Sequence, residues 1–490
     1  MARGATGISF SQRAPALAVF TVAVLLAMFV GIGVGRDDPP VMILLGLVGF
    51  GAAILAARLP QLALVGVVVV TFANLSDVLI RYHGLPSLNK LMTPGLMFIL
   101  GYRYLIIGDR PFSDRTVIAL MLGFLLLILV SAQIATRYEV ALAELDEAAR
   151  NMLLVLLALA FFRQRGALDA FGAALVACAL VLGGIAAYKY SLGNIDNPYW
   201  GLGRTGDGGS RLSGPEADPN GFGSVLVVML PFTIDRALWG RSRGARLLGL
   251  VAAGLAVAMI LFTQSRGALV SALFSGALYA FSLDRRTALR LAVAAAVTVT
   301  VVGAILSQEM VERFASILEM AETGEAADRS VEGRLGSWMV AVRLFMDNPV
   351  LGVGAGNFNV LYQDTANELG LIFRGRDRSP HSLYLEVLSE FGLVGFLLFM
   401  TAIALAARGV LRAMAMLRAR GEMRLRALCA AFGMALAGHL AAMAFLHGPG
   451  ARPLWMLLAI GIALPRIVMF ELADKPPRKL DGPETARAVV

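Results

Sequence analysis

A histidine stands at the lip of an apolar run in "RSPHSLYLEVLSEFGLVGFLLF", which extends from Arg378 to Phe399. His381 is one of only four histidines in the chain. An imidazole changes charge near neutral pH, so His381 is suited to acid–base chemistry. Glu386 and Glu390 follow it, and on a helix their spacing puts both on one face. At 1.5 Å of rise per residue, Glu386 lies about 7 Å along the axis from His381. Carboxylates inside an apolar helix face the interior of a bundle or a wet cavity, and they have partners. Two roles stand side by side for Glu386: a structural ion pair with an arginine such as Arg266, or an orienting part in catalysis.

The second chemical signature is arginine. Only four of the 43 basic residues are lysine: Lys90, Lys189, Lys475 and Lys479. A planar guanidinium grips phosphate oxygens in bidentate fashion, although a GC-rich genome gives the same bias without any function. Three arginines occupy positions of interest. Arg266, in "FTQSRGALVSALF", stands in a tight turn between two apolar segments with no other charge nearby. It is either a snorkelling side chain or part of a site. Arg211, in "GSRLSGPEADPNGFG", precedes a helix-start signal, Asp218-Pro219-Asn220. Arg334 opens an amphipathic stretch. Arg374, Arg376 and Arg378 form a charge run before His381, read either as a solvated rim or as an anion-steering one.

These residues need a scaffold, and composition says which. The 490 residues are 58% hydrophobic and 16% charged, with a net charge of +9. That is far more apolar than a soluble domain and implies an all-α, polytopic integral membrane bundle, a single transmembrane domain over residues 1–490. About fourteen apolar segments are readable, near 15–34, 40–57, 61–80, 90–107, 116–135, 147–162, 167–188, 219–238, 245–263, 268–283, 289–306, 383–405, 425–446 and 452–469. With both termini on the cytoplasmic side, most basic residues fall in the inside loops and most acidic ones outside, as the positive-inside rule requires. Cys178 and Cys429 both lie in apolar segments, so no disulfide framework is implied. Asn74, Asp77 and His439 are further polar residues in apolar segments, read as interhelical hydrogen bonds.

Two long extracytoplasmic loops result, 189–218 and 307–382. In the larger, "SVEGRLGSWMVAVRLFMDNPVLGVGAGNF" carries Leu335, Trp338, Met339, Val342 and Phe345 at helical spacing. This predicts an amphipathic helix that rests on the membrane surface or the bundle and ends at Asn348-Pro349. The glycines of "GVGAG" predict a tight turn that returns the chain to the bundle. They lack the strand and helix context of a nucleotide loop.

Several chemistries have no sequence support. There is no HExxH, no CxxC pair, no Walker A, no GxSxG elbow and no acidic pair for a nucleotide-sugar. The expectation is an enzyme without metal or cofactor, acting on a donor already activated and already in the membrane.

Four stretches, "RLSGPEADPNGFG", "LFTQSRGALVSAL", "GRLGSWMVAVRLFMDNPVLGVGAGNF" and "PHSLYLEVLSEFGLVGF", resemble in order the motifs of the O-antigen ligase-like family, over roughly residues 205–400. That family comprises O-antigen ligases, Wzy-type polysaccharide polymerases and bacterial O-linked oligosaccharyltransferases. Its pattern of histidine, ten residues, then glycine is met by His381 and Gly392, while Ser382 stands where the family often has asparagine. The resemblance implies a metal-independent, inverting glycosyltransferase of the bacterial inner membrane with an extracytoplasmic active site. Its donor is a glycan on undecaprenyl pyrophosphate, and its acceptor is a glycan or lipid hydroxyl. His381 is then the base, with Glu386 orienting it or an arginine. Arg211, Arg266 and Arg334 hold the pyrophosphate. Implied partners are the lipid-linked donor, the acceptor, membrane lipid and a polysaccharide export machinery, but no nucleic acid. Two other classes compete: a flippase or other multi-span transporter, and a scaffold for export. The polar features crowd into the second half and onto one side, which favours surface chemistry over alternating access.

Overall fold

The computed structural model of the chain describes residues 59–192, 204–206, 210–281, 285–303, 329–371 and 378–473. The first two apolar segments, 15–34 and 40–57, lie outside them. Each of the other twelve overlaps helix over its described residues. In chain order these are α1 (Pro60–Phe72) with α2 (Leu75–His83), α3 (Leu88–Tyr102), α4 (Arg115–Ala132), α5 (Tyr138–Ala160), α6 (Ala167–Ser191), α7 (Pro219–Trp239), α8 (Arg243–Phe262), α9 (Arg266–Phe281) and α10 (Arg285–Gly303). Two loop helices follow, α11 (Arg329–Asp347) and α12 (Asn357–Glu368), and then α13 (Leu383–Ala419), α14 (Met423–Ala442) and α15 (Arg452–Leu472). A two-stranded hairpin, β1 (Arg204–Gly206) and β2 (Ser210–Leu212), precedes α7.

Among the described residues, seven helices are long and apolar enough to cross a membrane: α4, α6, α7, α8, α13, α14 and α15. An eighth span is counted if the pair α1 and α2, bent by 55° at Asn74, crosses as one unit. Of the fourteen expected, two lie outside the described residues, and the rest of the difference comes from elements that fall short of a span by length or charge. α9 has only 16 residues. The expected segment 147–162 is the second half of α5, whose first half carries Glu139, Glu144, Asp146, Glu147 and Arg150.

The core is built around α7, in which Leu226, Val227, Val228 and Met229 are fully buried. Phe171 of α6 and Phe432 of α14 close on Phe232 of α7, with ring centroids 5.6 and 6.5 Å away. The start of α7 is set locally. The Asp218 carboxylate accepts from the Asn220 and Gly221 amides at 3.2 and 2.7 Å, and Pro219 needs no partner at the first helical position.

The two ends of the bundle differ in charge. One end gathers Arg163, Arg165, Arg241, Arg243, Arg424 and Arg466 at the termini of α5 to α8, α14 and α15. There Arg424 pairs with buried Asp235 at 2.9 Å, and Arg466 with Asp114 at 3.1 Å. The opposite end carries the loops that hold the candidate site.

The amphipathic helix is present as α11 and stops at Asp347, as read from the sequence. One face of it is buried within the protein. Val340, Ala341 and Leu344 pack with Val353, Phe358, Tyr362 and Ala366 in a small separate core. Leu335, Met339 and Val342 are exposed. α12, a helix with no counterpart in the sequence reading, takes the buried side of α11.

Candidate functional site

His381 sits just ahead of α13 with φ of +50°, a left-handed conformation uncommon for a residue with a side chain. Such strain persists only where the surroundings over-determine it, and it concentrates at functional sites. Pro380 and Ser382 on either side are buried. The imidazole pKa is pushed down to about 4, first by burial, then by the positive fields of His447, Arg334 and Arg378, against an opposing pull from Asp218. The ring is therefore neutral at working pH, with its acceptor lone pair free of a proton but less basic than that of a free imidazole.

The arginines read from the sequence converge on this end. Arg211 donates through Nε to the Thr263 carbonyl at 3.0 Å and through Nη2 to Asn220 Oδ1 at 3.1 Å. Thr263 opens the turn that leads to Arg266, so Arg211 is tied to the Arg266 turn across the top of α7. That turn is tight: Gln264 has φ of +51°, and Thr263, Gln264 and Ser265 are buried. Arg266 itself is the first residue of α9 and half-buried. Arg334 reaches this end from α11, where its field acts on His381. Arg378 Nη1 is buried without a hydrogen-bond partner among the described residues. A buried guanidinium nitrogen in that state is a ready donor to an anion. Arg374 and Arg376 lie outside the described residues.

Glu386 and Glu390 have backbone partners. Glu386 accepts from the Gly448 amide at 2.8 Å, and Glu390 from the Phe358 amide at 3.3 Å. Glu390 also receives the Gly356 amide and so caps the start of α12. Both carboxylates belong to a short first section of α13 that ends at Gly392, where φ is +61° and ψ −160°. The segment from Pro349 to Gly354 is inserted into this break. Leu393 and Val394 donate to the Pro349 and Val350 carbonyls at 2.8 and 3.3 Å, while Val353 and Gly354 donate to Ser389 and Glu390 at 2.9 Å each. These four bonds satisfy the Leu393 and Val394 amides and the Ser389 and Glu390 carbonyls, which would pair with each other in an unbroken helix. The "GVGAG" turn thus returns the chain to the bundle by splicing into α13. The ten-residue spacing from His381 to Gly392 measures the section between that histidine and the splice.

A polar annex completes the end. Asn74, at the bend between α1 and α2, donates to Glu216 at 3.0 Å and to the Pro215 carbonyl at 3.5 Å. The hydrogen bonds expected of Asn74 therefore run from helix to loop. Glu216 is pushed up to about 7 by burial and by Asp77 and Asp218, with Arg452 and Arg81 pulling the other way.

The sequence reading missed His447, whose ring lies 5.7 Å from that of His381 at an angle of 82°. Its only sequence signal was that it is another of the four histidines and precedes "GPG" at the mouth of a span.

Residues 248–400 match the family model described as O-antigen ligase. The match takes in Arg266, Arg334, His381, Glu386 and Gly392, with Arg211 ahead of it, and it supports assignment to the O-antigen ligase-like family. No curated protein matches the chain.

Proposed function

We propose that this O-antigen ligase-type membrane enzyme transfers a glycan from an undecaprenyl-pyrophosphate donor to an acceptor hydroxyl, polymerising or ligating surface polysaccharide. The observation that carries the reading is the convergence of Arg211, the Arg266 turn and Arg334 with a neutral His381 at one end of the bundle. The donor's pyrophosphate lies among the arginines. His381 takes the proton of the acceptor hydroxyl as its oxygen attacks the anomeric carbon. The bond from that carbon to the phosphate oxygen breaks, and the lipid pyrophosphate leaves with its electron pair. Guanidinium groups stabilise the charge that develops there. Attack opposite the leaving group inverts the anomeric configuration. The pyrophosphate linkage supplies the driving force, and His381 and the arginines are the groups assigned to the steps written here.

The charge asymmetry of the bundle supports an extracytoplasmic site. Under the positive-inside rule the arginine-rich end faces the cytoplasm of a bacterial inner membrane. The site then opens on the side where polymerisation and ligation partners meet the donor.

Gene deletion with analysis of surface polysaccharide tests the proposal and separates its two forms. Surface glycans of a single repeat unit indicate polymerisation. Full-length chains left on the lipid carrier indicate ligation. Unchanged polysaccharide, or full activity of purified His381→Ala, removes the proposal.

A further inference from the structure

We propose that His447 is a positioning residue for His381, and that Glu386 holds His447 in place through the Gly448 amide. The inference rests on the transfer proposed above, because it assigns two further parts to that same site.

Two contacts link the α14–α15 loop to the start of α13. The His381 and His447 rings meet edge to face, 5.7 Å apart. The Glu386 carboxylate accepts from the Gly448 amide at 2.8 Å. The histidines sit at either end of this second bond: His381 is five positions before Glu386, and His447 is one before Gly448. Glu386 is itself set by the first turn of α13, where its amide donates to the Ser382 carbonyl at 2.9 Å. A shift of Glu386 therefore moves one histidine relative to the other.

The loop that carries His447 is pinned along its length. Gly448 has φ of +102°, which favours glycine. Trp455 Nε1 donates to the Pro449 carbonyl at 2.8 Å, and Asn151 Nδ2 to the Gly450 carbonyl at 3.2 Å. Loops are held this way when what they present must not move. What this loop presents is an exposed imidazole laid against the strained, half-buried His381. His447 thereby fixes the ring angle of the base and shields one edge of it. Burial lowers the pKa of His447 too, with Asp218 pulling it up, so His447 opposes protonation of His381 only at the acid pH where its own ring has taken a proton. The charged groups facing His381 are His447 from this loop, Arg334 from α11, Arg378 from its own segment ahead of α13 and Asp218 from the cap of α7.

The test uses full-length protein in detergent, a polyprenyl-pyrophosphate-linked glycan as donor, and pH profiles of kcat/KM. In His447→Ala, kcat falls about tenfold or more while donor KM changes less than about threefold. Its acid limb moves to higher pH, because both the shield and the opposing cation are gone. His447→Phe keeps the ring contact, so it recovers most of kcat while its limb still moves up. Glu386→Ala combined with His447→Ala costs no more than His447→Ala alone, as expected for two groups acting through one path. Wild-type kcat and an unmoved limb in His447→Ala overturn the inference. So does an equal loss in His447→Phe with an unmoved limb, which marks a merely structural contact. If His447→Ala does not fold, the limb of His447→Phe decides. Full activity of His381→Ala overturns the transfer reading instead, whatever the His447 variants do.

Discussion

The amide of Val353 donates to the carbonyl of Ser389 at 2.9 Å, taking the bond that Leu393 would make in an unbroken α13. The break is therefore satisfied, and its repair locks the loop helices α11 and α12 to the section that presents His381. Buried backbone groups must be paired, and more so at membrane depth, so a helix can be cut there only if another segment supplies the missing donors and acceptors.

Gly392 is the weak point of this splice. At φ +61° and ψ −160° it occupies a region open essentially to glycine, and a Cβ there would strike the Val350 carbonyl. Gly392→Ala is expected to cost about 1–3 kcal/mol in local strain and to expel the 349–354 segment. Thermal unfolding in detergent should show a lower midpoint. Limited proteolysis should cut between α11 and α13 at protease levels that leave the wild type intact. An unchanged midpoint together with wild-type protection would show that the splice tolerates a side chain.

The pH profile follows from the depressed His381 pKa. Only the neutral ring acts as a base, and it persists down to about pH 4 rather than the ordinary 6.5. The acid limb of kcat/KM is expected near pH 4. Loss of a nearby cation raises the limb, so residual activity of Arg334→Ala should show it at higher pH. Loss of the opposing carboxylate in Asp218→Asn should lower it. Movement of the two limbs in the same direction would contradict this electrostatic picture.

How much of this was legible in the chain depended on distance along it. Helices with a continuous apolar run, such as α7 and α8, were readable because their signal is local. So were the cap at Asp218 and the end of α11 at Asp347. The neighbourhood of Arg211 and Arg266 followed from both lying at the same ends of adjacent helices. The partners of Glu386 and Glu390 could not be read. Each binds a backbone amide, 62 or 32 positions away, and an amide carries no residue-type signature. The packing of α12 on α11 could not be read for a related reason. α12 has a mixed composition, "NFNVLYQDTANE", whose apolar positions Phe358, Tyr362 and Ala366 are too few to announce a helix alone.

Arg211 uses two nitrogens of its fork, one on Thr263 and one on Asn220. A lysine offers a point charge but cannot hold both in that geometry. Arg211→Lys should therefore lower kcat/KM by about tenfold, or ~1.4 kcal/mol, despite the conserved charge. Arg211→Ala should lose more. Steady-state kinetics with purified variants decide this, and full activity in Arg211→Lys would mean that charge alone is used.

Asp235 gives a control at the far end of the bundle. Its carboxylate is buried in α7 and is held at 2.9 Å by Arg424, which also reaches Asp169 at 3.4 Å. Breaking a buried pair from one side strands the other charge, at a cost of about 3 kcal/mol. Arg424→Ala is the harsher change, since it leaves the buried Asp235 carboxylate without its cation. Asp235→Asn keeps the shape and a hydrogen-bonding oxygen for Arg424, so it should destabilise less. Both should lower the thermal midpoint while leaving the His381 acid limb where it is, because the pair sits at the opposite end from the candidate site. A moved limb in either variant would mean that the two ends of the bundle are coupled through α7.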